Sequence, residues 1–259
     1  MISGSRIKQV ALDRVITYGL RYLIMSLCAT SLLVIAGCSK KPKTIEDTAP
    51  NAVYDGYAKS KAFPVVASGV DPMIDDLEDG DLKGLKADGR NWSWSQFDDS
   101  SDGIQVLTIQ QLPDAPGAGD NVLYLKGGDW KYSGAGVNAY LVNRTAPQPF
   151  GYYDASLFSG IQFWVKATGI SSLTIQITTP ETTTVDDGGF CIQGCADPVE
   201  IRCSVGNNWQ LIQLPFDSFT LPTYNEPGLL DPSRIKGISF SIESLNDYEV
   251  WLDELSFFQ

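Results

Sequence analysis

The chain of 259 residues contains no histidine. This absence excludes Ser-His-Asp and Cys-His nucleophilic sites, His-ligated zinc and the usual proton shuttle near neutral pH. An enzyme of this composition would have to work with carboxylates alone, as glycoside hydrolases do. Acidic residues such as Asp186, Asp187 and Asp197 are present, but none stands in a recognisable catalytic motif. We therefore predict that the protein is not an enzyme.

Positive charge is also scarce in the body of the chain. Residues 71–259 carry 10 Lys or Arg against 27 Asp or Glu, a net charge of −17. A domain of this charge repels phosphates, so the sequence predicts no nucleic-acid partner. It is compatible with neutral ligands such as glycans and with bound cations. The segment is long enough to bury one core and needs no second domain.

Past residue 45 the chain lacks helical periodicity, and it has no repeat of fixed period. Short runs rich in Val, Ile, Thr and aromatic residues alternate instead with Gly, Pro, Asn and Asp turns, mostly with a period of two. The clearest runs are 106–109, 122–125, 161–165, 173–177, 209–214, 238–242 and 250–257. This pattern predicts an all-β protein, a β-sandwich of the jelly-roll type. Because Trp164, Trp209 and Trp251 lie in such runs, we expect their rings in the core.

The N-terminal apolar stretch, Leu23–Ala36, is too short to cross a bilayer, which takes about 20 residues. It follows a basic segment with Arg6, Lys8, Arg14 and Arg21, which is typical of a signal peptide. Cys38 comes directly after Ala36-Gly37 and resembles the lipobox cysteine of bacterial lipoproteins. The resemblance implies that residues 1–37 are a signal peptide and that Cys38 is acylated. The alternative is an uncleaved anchor helix with Cys38 as an ordinary thiol.

Residues 38–70 are predicted to be the lipidated cysteine followed by a flexible linker, because the segment shows no sustained apolar period. More than one acyl chain gives stable anchoring in the lipid bilayer. Ser39, rather than Asp, follows the cysteine, and by resemblance to Gram-negative lipoproteins this favours the outer membrane. We expect a lipid-anchored monomer at the cell envelope.

Residues 71–259 carry an ordered series of motifs: Met73–Gly80, Asp88–Trp94, Gly127-Gly128, Gly134–Val137, Tyr153–Trp164, the pair Cys191 and Cys195, Trp209 with Leu214–Phe216, Ile238–Ile242 and Trp251–Leu255. The order of these motifs resembles that of carbohydrate-binding modules related to family 11, which are galactose-binding-like jelly rolls. The resemblance implies one non-catalytic carbohydrate-binding domain with a glycan or polysaccharide as partner. Two alternatives stay open: an adhesive envelope lipoprotein that binds proteins, and a hydrolase that works with carboxylates alone.

The same resemblance implies a structural Ca²⁺ held between the first and last strands, since Ca²⁺ takes six to eight oxygen ligands. Asp76, Glu78 and Asp253 would supply carboxylates, with Asp81 as an alternative to Asp76. The competing interpretation of these acids is a solvated, charged sheet edge that prevents strand pairing.

The resemblance also implies a disulfide between Cys191 and Cys195. An exported domain keeps its disulfides, and the three cysteines after residue 38 allow one bridge. The competing pair for that bridge is Cys195 with Cys203.

Glycan recognition requires flat aromatic faces and planar polar groups. Aromatic and polar residues in Gly- and Asp-rich surroundings are the candidates, and for the tryptophans a core position is the alternative. The predicted ligand-binding residues are Arg90, Trp92, Trp94, Asp98, Trp130 and Tyr132, with Asp99 and Tyr224 as further candidates.

Overall fold

The computed structural model of the chain describes residues 65–143, 151–185, 189–192, 195, 198–220 and 230–259. These residues form strands almost throughout, with three short 3₁₀ helices at Pro180–Thr182, Phe216–Ser218 and Pro232–Arg234. The strands are β1 (Val65–Ser68), β2 (Met73–Asp75), β3 (Trp94–Asp98), β4 (Ile104–Gln111), β5 (Asn121–Gly128), β6 (Ala135–Tyr140), β7 (Tyr152–Asp154), β8 (Gly160–Thr168), β9 (Ser172–Thr178), β10 (Val199–Ser204), β11 (Gln210–Pro215), β12 (Gly237–Ile242) and β13 (Tyr248–Phe258).

Two antiparallel sheets make up most of the described part. The five-stranded sheet has the order β10-β9-β12-β6-β3, and the six-stranded sheet has the order β11-β8-β13-β5-β4 with β2 also paired to β13. A short parallel pair, β1 with β7, stands apart from both. Every run predicted from the sequence lies in one of these strands, except that Trp209 directly precedes β11. The all-β sandwich prediction is confirmed.

The core lies between the two sheets because each strand turns one set of alternate side chains inward. In β8, Phe163 and Val165 are fully buried, whereas Trp164 and Lys166, which alternate with them, are half-buried. Phe163 meets Phe240 of β12 edge to face, with ring centroids 5.0 Å apart. This contact joins the six-stranded sheet to the five-stranded sheet.

Strand β13 lies at the centre of the six-stranded sheet and is its longest member, with 11 residues. It pairs with β8, β5 and β2. Its register against β8 shifts between Asp253 and Ser256, where Glu254 has a φ of 47°. This β-bulge bends the strand and resets which residues face outward beyond it.

Strand β1 lies within the range 38–70 that the sequence predicts to be linker. Cys38, the predicted signal peptide, and the further candidates Tyr224, Asp186, Asp187 and Asp197 lie outside the described residues. No helix in the described part of the chain has the length and apolar composition that a membrane crossing requires.

Candidate functional site

The outer face of the six-stranded sheet carries a row of aromatic side chains. Cross-strand pairing aligns Thr108 with Tyr124, Tyr124 with Trp251, and Trp251 with Lys166. The rings of Tyr124 and Trp251 lie 5.4 Å apart at their centroids and are tilted by 31°. Trp209 extends the row, with its ring centroid 5.8 Å from the Lys166 ammonium. These aromatic side chains are half-buried, so each offers part of its surface to solvent.

Amide groups lie on the same surface at two different levels along the strands. Gln162 of β8 pairs with Gln213 of β11, and Gln213 Nε2 donates to Gln162 Oε1 at 2.8 Å. Gln110 of β4 accepts from the indole N–H of Trp251 at 2.9 Å. Trp164 lies on this surface as well, opposite Leu211. The surface formed by the aromatic row, these glutamines and Trp164 is termed the aromatic face below.

The charged side chains of the aromatic face are paired with one another. Lys166 Nζ lies 3.1 Å from Asp114 Oδ2, and Lys126 Nζ lies 3.4 Å from Glu249 Oε1. Glu249 also accepts from the Tyr124 hydroxyl at 2.7 Å. This hydrogen bond and the Lys126 charge lower the pKa of Glu249 despite partial burial. Glu249 is therefore ionised near neutral pH and is unsuited to act as a general acid.

Three of the tryptophans predicted to bind a glycan lie in the core instead. Trp92, Trp94 and Trp130 are 3%, 5% and 4% exposed. Trp94 packs edge to face against Trp92, and its indole N–H donates to Asp75 at 2.8 Å. Rings covered to this extent have no free face for a sugar, so these residues serve packing rather than binding.

Asp75, which sequence analysis did not select, is fully buried beside Trp94. Its carboxylate accepts from the Trp94 indole N–H and from the Leu77 N–H at 3.0 Å. Desolvation outweighs these hydrogen bonds and raises the pKa of Asp75 to about 7.

Arg90 is also buried, at 1% exposed. Its Nε donates to the Ala87 carbonyl at 3.1 Å, and its guanidinium lies 5.2 Å from the centroid of the Tyr153 ring. The predicted role in hydroxyl recognition does not fit this position, because the side chain is enclosed.

Asp98 and Tyr132 are exposed, as a binding role requires, but they lie away from the aromatic face. Tyr132, at 76% exposed, lies on the loop between β5 and β6. Asp99 holds this loop by accepting from the N–H groups of Tyr132, Ser133 and Gly134. These bonds and the Ser101 hydroxyl outweigh desolvation and lower the pKa of Asp99 far below its usual range.

The site tryptophans missed from the sequence share a strand phase with polar residues. Trp164 alternates with Phe163 and Val165 but has the phase of Gln162 and Lys166. Trp251 likewise has the phase of Glu249 rather than that of Val250. The phase of each indole within its own strand was the signal that identifies the aromatic face.

The predicted metal ligand Asp253 lies under the loop that joins β4 to β5, residues 112–120. It is 1% exposed, and its Oδ2 accepts from the Gly117 N–H at 3.1 Å while its Oδ1 has no hydrogen-bond partner. Burial, and more weakly the charges of Glu254 and Glu78, raise the pKa of Asp253 to about 6. An unsatisfied buried carboxylate oxygen fits a place beside a cation.

Glu78 lies at the end of the same loop, since its Oε1 accepts at 3.3 Å from the N–H of Asn121, the first residue of β5. Asp76 does not join them: its Oδ1 accepts from the Glu78 N–H at 3.2 Å and stabilises a turn. Within the described ranges, no three acidic or thiol side chains converge on one point. A cation held by Glu78 and Asp253 would therefore take its other ligands from backbone carbonyls and water.

The predicted disulfide is confirmed. Cys191 and Cys195 are bonded, with their Cα atoms 5.5 Å apart. Cys203 lies on β10 and is buried, at 1% exposed.

No protein-family model and no curated protein matches the sequence. Among solved structures, the chain is similar to the family 11 carbohydrate-binding module of a cellulosomal cellulase of Clostridium thermocellum, with 16% identity, a TM-score of 0.49, and coverage of 73% of this chain and 94% of that one. A family 11 module from the same organism in complex with a β-1,3-1,4-mixed-linked tetrasaccharide gives 18% identity, a TM-score of 0.48 and coverage of 73% and 95%. A family 30 module of a cellulosomal cellulase of Clostridium thermocellum has 14% identity and a TM-score of 0.46, and the match covers 73% of this chain and 97% of that one.

Proposed function

We propose that the protein is an envelope-anchored lipoprotein whose β-sandwich binds glycans without cleaving them. The observation that carries the proposal is the aromatic face, where the partly exposed rings of Tyr124, Trp251 and Trp209 lie in one row and the Gln110 amide contacts Trp251. Indole and phenol rings stack on the C–H-rich faces of sugars, and amides bond hydroxyls in both directions.

Binding without catalysis fits the state of the carboxylates on this face. Hydrolysis of a glycosidic bond needs one protonated and one ionised carboxyl group across a cleft. Asp114 and Glu249 are each engaged by a lysine, and the pKa of Glu249 is lowered. Neither is placed to protonate a leaving group, so the glycan would be held intact.

A structural Ca²⁺ between Glu78 and Asp253 belongs to the same proposal. The ion would neutralise the unpartnered Asp253 Oδ1 and would hold the β4–β5 loop against the sheet. Anchoring through Cys38 rests on the lipobox resemblance, and it would place the aromatic face at the cell envelope.

The deciding experiment is a binding screen of the full-length chain, purified in detergent, against immobilised neutral and acidic polysaccharides. We expect retention on at least one polysaccharide and no release of reducing ends. Release of reducing ends would contradict the non-catalytic function. Absence of binding to every polysaccharide would contradict glycan recognition and favour the adhesive alternative.

A further inference from the structure

Lys166 lies between two tryptophans of the aromatic face. Its ammonium lies 5.5 Å from the centroid of the Trp251 ring and 5.8 Å from that of Trp209. Its side chain is only 21% exposed. A cation between two indole rings is stabilised by both, and more so where water is partly excluded. A glycan on this row would therefore contact a positive charge between the Trp251 and Trp209 rings.

Asp114 neutralises this charge from the solvent side. Its Oδ2 lies 3.1 Å from Lys166 Nζ, and its side chain is 61% exposed, so the carboxylate is the outer member of the pair. Its position is set by the β4–β5 loop, which is tied to the sheet by the bond from the Gly117 N–H to Asp253. The fixed loop keeps the carboxylate over the row.

We infer that Asp114 makes the aromatic face select uncharged glycans over glycans that carry carboxylate or sulfate groups, an inference that rests on the proposed function. An anionic sugar approaching the row meets the exposed Asp114 carboxylate before it reaches Lys166. Specificity of this kind arises from repulsion of the wrong ligand as much as from attraction of the right one. Asp114 therefore acts as a specificity-determining residue, because it neutralises Lys166 and itself repels anionic groups.

The test compares a soluble β-1,3-1,4-linked glucan with its carboxymethylated derivative, using calorimetry on the full-length chain in detergent. The wild type should bind the neutral glucan at least about tenfold more tightly. Asp114→Asn keeps the shape of the side chain and removes its charge. It should strengthen binding of the carboxymethylated glucan by about tenfold and change neutral binding by less than about threefold. The gain should shrink as salt is added, because ions screen exposed charges.

Two further variants separate charge selection from a loosened loop. Asp114→Asn combined with Lys166→Gln leaves no net charge on the row, and it should restore the preference for the neutral glucan. Asp102→Asn removes an equal charge from a lysine-paired aspartate at the other end of β4, and it should leave the preference unchanged.

An unchanged preference in Asp114→Asn, with the wild type still binding the neutral glucan, would overturn the inference and leave glycan binding intact. A wild type that prefers the carboxymethylated glucan would overturn it in the same way. If neither the wild type nor any variant binds either glucan, the result would contradict both the inference and the recognition of glucans by the aromatic face.

Discussion

Trp251 is the residue on which most of the contacts of the aromatic face converge. Its ring lies tilted against that of Tyr124 and beside the Lys166 ammonium, and its indole N–H donates to Gln110. Central aromatic residues of this kind usually contribute most to binding. The side chain is half-buried and rests on the surface of the sheet, so its removal opens little space in the core.

We predict that Trp251→Ala weakens binding of the glycan identified in the screen by about thirtyfold or more, since truncating a central anchor costs about 2 kcal/mol. The measurement is calorimetry, with thermal unfolding as a check on the fold. Tyr132→Ala is the matched control, because Tyr132 is an exposed aromatic residue outside the face. Equal losses in the two variants would contradict the placement of the site.

Trp94 and Trp92 offer a comparison within the core. The Trp94 indole N–H donates to the buried Asp75, whereas the Trp92 indole N–H has no hydrogen-bond partner. Trp94→Phe should therefore lower the free energy of unfolding by about 1–3 kcal/mol more than Trp92→Phe, because it leaves a buried carboxylate oxygen unsatisfied. Urea denaturation measures the difference. Similar losses for both variants would show that the Asp75 bond adds little stability.

At the scale of elements, the β4–β5 loop connects the carboxylates of Glu78 and Asp253 to the aromatic face. Gly117 of the loop donates to Asp253, and Asn121, directly after the loop, donates to Glu78. Asp114 of the loop pairs with Lys166. A cation that binds Glu78 and Asp253 would tighten the loop. Through this loop the proposed metal would influence the aromatic face, although the loop itself contributes no aromatic ring to that face.

We expect Ca²⁺ at 100 times its Kd to stabilise the protein by about 2.7 kcal/mol, which is roughly 5–10 °C in Tm for a domain of this size. Asp253→Asn should abolish the shift, because it removes the carboxylate with the unpartnered oxygen. Asp120→Asn, which changes an exposed carboxylate in the same loop, should retain it. A Tm unaffected by Ca²⁺ and by chelation would contradict the metal site.

Sequence periodicity predicted the strands well because successive side chains of a strand point to opposite faces, so a half-buried strand alternates apolar and polar residues. The site was harder, for two physical reasons. Gly- and Asp-rich surroundings suggested that Trp92 and Trp130 lie on a rim, yet both rings are buried. The bond between Gly117 and Asp253 spans 136 residues along the chain, and no local pattern encodes such a contact.

At the scale of the whole molecule, the lipobox resemblance predicts that Cys38 decides where the domain resides. In a Gram-negative host, Cys38→Ala should abolish acylation and move the protein from the membrane to the soluble fraction, because stable anchoring depends on the acyl chains. Fractionation and intact mass measure the two effects. Cys28→Ala, inside the predicted signal peptide, should leave both unchanged. Membrane retention of Cys38→Ala at an unaltered mass would contradict lipidation.

The central position of β13 has a consequence for the order in which the protein folds. All of its partners, β2, β5 and β8, precede it in the chain. During synthesis the β4–β5 hairpin and the β8–β11 pair therefore emerge as two separate halves with unpaired edges. They can join into one sheet only when residues 248–258 arrive between them. A ribosome that stops before residue 248 would release a chain with two exposed sheet edges, which are prone to aggregate.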